Sequence, residues 1–245
     1  MNEKPILFNA EMVQAILSGR KTQTRRIMKV QPENPHLGLR RIIESKNSSE
    51  NGKYFWSQSD ACGTKPRSKT FSCPLGQPGD QLWVRETFAL LGNEDGVCVD
   101  WQDNMVKGDE QEAARIYKAS CEQRHGDYGL YSIPNSAYWK PDTTNMKYEG
   151  TWRPSIHMPR WASRINLMIT GVRVERLNDI SQEDAQAEGM ELTGWRPTYS
   201  DPDSGGEYET PYDNFAELWI SIYGEESWEA NPWVWVIEFE RMEAK

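Results

Sequence analysis

Between Lys4 and Gly19 the chain changes period. Pro5-Ile6-Leu7-Phe8 is a short run fit for the start of a strand. Beyond Asn9 the apolar residues move to helical spacing, with Val13, Ile16 and Leu17 at i, i+3 and i+4. Asn9 stands where an N-cap oxygen can accept from free amides, and Gly19 where a left-handed residue ends a helix. Residues 21–30 then alternate well enough for a strand. Residues 31–73 turn polar and turn-rich ("QPENPH", "SKNSSENGK"), which reads as an insertion. "LGQPGDQLWVRETF", 75–88, is a Pro-Gly-Asp turn feeding a strand through Leu82, Val84 and Glu86.

Residues 92–150 are irregular, with a short helix near 109–116, and read as a second insertion. Regularity returns with Ile165, Leu167 and Ile169, after which Val172 and Val174 continue in the opposite phase. Gly171 between them marks a bulge. Ser181 and Asp184 make a variant capping box for a short helix ending at Gly189. Residues 193–211 form an acidic loop. Phe215, Leu218, Trp219 and Ile222 are the stripe of a further helix stopped by Gly224, and "NPWVWVIEFE" is a closing strand. Strands and helices in this order, without a βαβ rhythm, predict one α+β domain over 1–245, a barrel or curled sheet with helices at its ends.

Composition changes this picture little. Eleven Trp and 37% hydrophobic residues supply a core. No apolar run is long enough to span a bilayer, and the N-terminus lacks a signal peptide's apolar region, so a cytoplasmic chain is expected. Cys62, Cys73, Cys98 and Cys121 form no CxxC and have no neighbouring His, which reads as reduced thiols; no metal and no cofactor are expected.

Charge changes it more. The net charge is -9, yet residues 1–75 carry a balance of +7 against -16 for the remainder. Ser18–Arg26, "SGRKTQTRR", concentrates four cations and three hydroxyls. A basic segment on an acidic body suits an anionic partner on one face, or ion pairs with the acidic half. Within this stretch Lys21 and Thr24 hold the ingredients of an activated hydroxyl. A neutral amine can take a Thr proton, and Arg20, Arg25 and Arg26 are cations that lower a lysine pKa. Because 21 and 24 point to opposite faces of a strict strand, Lys21 must lie in the turn after Gly19 for the two to converge. Trp83 and Arg85 share a strand face suited to stacking on an unpaired base, and Glu86 can accept from an exocyclic amine. Arg160, Trp161 and Arg164 place an aromatic among cations, a phosphate-and-base arrangement that equally suits the start of a strand.

"GRKTQTRR" following a helix resembles the GxKxxTxR signature of the ASCH domain, a PUA-like β-barrel family associated with RNA. "PGDQLWVRE", "ERLNDISQEDAQAEGM" and "WVWVIEFERM" resemble its later segments in the expected order. "WRPSIHMPRWASRI" is similar to its longer, phage-encoded branch. The resemblance implies a PUA-like barrel, with a modified nucleoside or single-stranded RNA as partner. It also implies amide hydrolysis of N4-acetylcytidine-type nucleosides, with catalytic roles falling on Lys21, Thr24 and Glu188. Thr24 would be the nucleophile and Lys21 its base, with Glu188 orienting Lys21 or returning a proton. A non-catalytic RNA-binding module and a ribonuclease are the alternatives within the same resemblance.

Overall fold

Strand β1 (Glu3–Leu7) leads through Asn9 into helix α1 (Ala10–Leu17). The Asn9 side chain accepts from the Met12 amide at 2.8 Å, satisfying a donor that the first helical turn leaves free. Gly19, at φ 79°, turns the chain towards β2 (Gln23–Ile27). There follow β3 (Gly38–Arg41), β4 (Tyr54–Asp60), β5 (Gly63–Pro66), β6 (Gln81–Arg85), β7 (Phe88–Leu90), β8 (Arg115–Tyr117) and β9 (Asn166–Arg176). Helices α2 (Gln182–Ala187), α3 (Pro211–Tyr223) and α4 (Glu225–Glu229) precede the last strand, β10 (Trp233–Arg241). This computed structural model describes residues 2–60, 63–92, 97–102, 104–106, 110–120, 152–191 and 210–242.

The fold is α+β. Its main sheet has the order β1-β6-β9-β10-β2; β1 and β6 run parallel, and the other neighbours antiparallel. Strand β10 lies inside this sheet and is buried on both faces, which is why "WVWVI" is a continuous apolar run. Trp235, Ile237 and Phe239 enter one core with Val13 and Ile16 of α1, while Val234 and Val236 enter a second with Phe215 and Trp219 of α3. Register transfers this alternation to β2. Thr24 and Arg26 stand opposite Ile237 and Trp235, and Gln23 and Arg25 opposite Glu238 and Val236. The two sets therefore face different cores.

The phase change in β9 is a bulge. Ile169 pairs with Phe239 and Gly171 with Glu238, leaving Thr170 as the extra residue. A Cβ at position 171 would lie 2.3 Å from Glu238 Oε2. Gly171→Ala is therefore expected to displace that half-exposed carboxylate from Arg173 and cost about 1 kcal/mol in urea unfolding.

Three sequence expectations are refined or corrected. Residues 31–73, read as an insertion, hold β3, β4 and β5, which form a sheet whose Trp56 and Tyr54 join the first core. Tyr54, Phe55 and Trp56 are three consecutive aromatics, too short a run without alternation to stand out among the many turn residues around them. Near 109–116 there is a 3-10 turn at Glu110–Glu112 and then strand β8, because Arg115–Tyr117 pairs with β7. Ile222 is exposed, since the buried stripe of α3 runs through Pro211, Phe215 and Trp219. Residues 121–150, most of the second insertion, and 193–209, most of the acidic loop, lie outside the described residues.

Candidate functional site

The end of α1, the approach to β2 and the end of α2 meet at one junction. Ser181 caps α2 by accepting from the Asp184 amide at 3.0 Å, and Glu188 closes its C-terminus. The Lys21 amide donates to Ala15 O at 3.0 Å, the Thr22 amide donates to Ala187 O at 2.8 Å, and Lys21 and Glu188 form a β-bridge. Gly189 makes the approach sterically possible. Its φ is 96°, and a Cβ there would stand 2.9 Å from Ala15 Cβ and 3.2 Å from Lys21 Cβ. Lys21 thus lies in the turn after Gly19, ahead of β2, the placement that convergence with Thr24 requires.

Lys21 Nζ donates to Glu188 Oε2 at 2.6 Å and to Glu188 O at 2.8 Å, with both side chains buried. Burial pushes the lysine pKa below its ordinary value; the charge and hydrogen bond of Glu188 oppose this, and Arg26 and Arg25 add to the lowering. The balance favours a neutral amine more than water does. Thr24 is buried on β2. No hydrogen bond joins Lys21 to Thr24.

On the opposite face of β2, Arg25 gathers three acids. Its guanidinium donates to Glu188 Oε1 at 3.2 Å, to Glu175 Oε2 at 3.1 Å and to Asp184 Oδ2 at 3.0 Å. Gln23 and Arg173 reach Asp184 at 3.1 and 2.8 Å, and Arg173 also pairs with Glu175 and Glu238. The sequence leaves the basic segment, Arg25 included, between an anionic partner and ion pairs with the acidic half; the structure encloses Arg25 in an ion-pair network that holds Glu188 from behind. Sequence reasoning missed Glu175, Asp184 and Arg173. The available signal was Arg173 and Glu175 alternating on one strand face, followed by an acid in the first turn of α2.

The chain matches no protein-family model, no curated protein and no solved structure.

Of the remaining candidates, Arg20 pairs with Glu191 at 2.7 Å. Glu86 is buried, with both carboxylate oxygens held by Arg164 at 2.9 and 3.0 Å, so it does not meet an exocyclic amine in this conformation. Arg164 in turn lies 4.1 Å from the Tyr117 ring centroid. Arg160 binds Glu3 and Asn166, at 2.8 and 2.9 Å, and Trp161 packs with Phe88, Tyr117 and Met158 while Arg115 covers its ring. The group at 160–164 is therefore built into ion pairs and packing. The guanidinium groups of Arg85 and Arg160 lie 5.7 and 5.8 Å from the Trp83 ring centroid.

Arg26 is placed differently. From edge strand β2 it donates to the Leu7 carbonyl of edge strand β1 at 2.8 Å and lies 5.3 Å from the Phe8 ring centroid. Lys21 Nζ lies 5.7 Å from the same ring.

Two clefts flank α1. The first, about 590 Å³, is lined by α1, Arg20, the 188–191 turn and α3, and carries Glu11, Glu188, Glu191 and Glu217. The second, about 600 Å³, runs from Pro5–Asn9 past Arg26, Leu75 and Arg85 to Ile222 and Tyr223. Neither is lined by Lys21 or Thr24; Glu188 reaches the first, and Phe8 stands at the second. Among the described residues no group of three or more His, Cys, Asp or Glu is arranged to hold a metal, and no helix is long and apolar enough to cross a membrane.

Proposed function

We propose that this is an ASCH-type protein of PUA-like architecture that recognises a cytosine nucleoside and hydrolyses an N4-acyl amide through Lys21, Thr24 and Glu188. The observation that carries this reading is the 2.6 Å contact between Lys21 Nζ and Glu188 Oε2. The motif resemblance assigns these two residues to one site from segments 167 positions apart, and burial lowers the lysine pKa as a general base requires. The curled sheet supports the architecture, since Arg26 links its two edge strands through Leu7 O.

In this scheme Thr24 Oγ1 attacks the acyl carbonyl carbon and passes its proton to the Lys21 amine. The carbon–nitrogen bond of the adduct then breaks as that proton reaches the exocyclic nitrogen, releasing the cytosine amine. Water cleaves the Thr24 ester, regenerating the hydroxyl and releasing the carboxylate. Glu188 positions Lys21 throughout, held in turn by Arg25.

One observation favours a second reading, a non-catalytic RNA-binding module: the Lys21 and Thr24 side chains line neither cleft. Incubation with N4-acetylcytidine, followed by chromatography for cytidine, separates the two. The amidohydrolase reading expects turnover that Lys21→Ala lowers by about 10²–10⁴-fold and Thr24→Ala abolishes, with far-UV circular dichroism unchanged. Absence of turnover with salt-sensitive RNA binding would establish the module instead, and RNA cleavage absent in the variants would establish a nuclease.

A further inference from the structure

We propose that the cleft between β1 and the end of α3 is a nucleotide-phosphate site, in which Arg26 and Arg85 hold the anion and the apolar floor carries the base. The proposal goes beyond the reading above and rests on it only for the choice of cytosine. It starts from charge. On a chain with 37 acidic and 28 basic residues, the lining of this cleft contains, among the described residues, two guanidinium groups and no carboxylate. Arg20, Arg25, Arg160 and Arg173 each contact an acid. Arg26 and Arg85 contact none among the described residues; they donate to the backbone carbonyls of Leu7 and Ile156. Arg85 Nε is buried without a hydrogen-bond partner.

Both cations line the same cleft. Arg85 is the registered partner of Leu7 across the β1–β6 pair, and Arg26 is bound to the Leu7 carbonyl, so one residue anchors both. Each guanidinium has five N–H donors and uses few of them here, which leaves forked donors for phosphate oxygens. Beside them Leu7, Ile222 and Tyr223 are 43%, 47% and 40% exposed, an apolar surface next to the Phe8 ring. A flat base beside a phosphate matches apolar floor and cations together, and the cleft volume suits a ligand of mononucleotide size. The first cleft, with four glutamates, repels the same ligand.

Calorimetry tests this with cytidine 5′-monophosphate, cytidine, inorganic phosphate and a single-stranded cytidine oligonucleotide. The monophosphate is expected to bind at least about tenfold more tightly than cytidine or phosphate alone, and Arg85→Gln to erase that margin. Arg26→Lys keeps a charge but loses the fork, and gives a smaller loss. Tighter binding of the oligonucleotide with the same Arg85 dependence would identify a polymer as the source of the phosphate; tighter binding of the monomer would identify the free nucleotide. Equal affinity for cytidine and its monophosphate, or indifference to Arg85→Gln, overturns the proposal. Because the probes carry no acyl group, binding without hydrolysis of N4-acetylcytidine removes only the amidohydrolase reading, and hydrolysis without phosphate preference removes only this site.

Discussion

Arg25→Leu is expected to lower unfolding free energy by about 3–5 kcal/mol, a fall in melting temperature of roughly 10 °C for a chain of this size. The guanidinium is fully buried, bounded by Glu188, Glu175 and Asp184 at 3.0–3.2 Å and by the Phe215 ring, 5.7 Å from its Cζ. An exposed pair would contribute little, because water screens it. Here leucine leaves Asp184 and Glu175 to Arg173, and leaves buried Glu188 Oε1 with no cation. Arg25→Lys keeps one charge but cannot reach three carboxylates from a single ammonium, so an intermediate loss is expected. Urea unfolding of both variants measures this; a loss below 1 kcal/mol for Arg25→Leu would show that the network contributes no more than surface pairs do.

The difference between what was and was not legible in the sequence follows the range of the interactions. Asn9, Ser181 and Gly171 act on neighbours within four residues or on one strand partner, and their caps and bulge stand where composition places them. The α+β class follows from the same local signals. Partners of charged residues do not. Arg25 finds Glu175, Asp184 and Glu188 at separations of 150 to 163 residues, through the β2–β10–β9 register. Spacing within "GRKTQTRR" cannot distinguish a cation that faces a helix from one that faces a cleft. That distinction is one of alternation: Arg25 and Arg26 are adjacent, point to opposite faces, and end in an ion-pair network and at a cleft. Lys21 and Glu188 were brought together by resemblance alone, since nothing local in either segment names the other.

Lys21→Met and Glu188→Gln are each expected to cost about 3 kcal/mol, and to show in combination a coupling of at least about 1 kcal/mol. Met at 21 leaves Glu188 Oε2 buried without its 2.6 Å donor, while Gln at 188 leaves the buried Lys21 Nζ without its carboxylate. Together they remove both charges of the pair, so the second change costs less than the first. The pH dependence has a definite sign. With its pKa lowered on folding, Lys21 binds fewer protons in the native state than in the unfolded one. Native stability therefore gains from this group as pH rises through the window that ends near the ordinary lysine value of 10.5; the penalty is fully present below the folded pKa. In Lys21→Met that contribution disappears, so the stability difference between wild type and variant widens towards alkaline pH. Glu188→Gln acts in the other direction on the lysine itself. It removes the carboxylate that holds the pKa up, so the rising limb of amide hydrolysis against pH moves to lower pH while the maximal rate falls with lost positioning. A rising limb unmoved by Glu188→Gln would mean that Lys21 is not the base, and additive unfolding costs would mean that its contact with Glu188 is incidental.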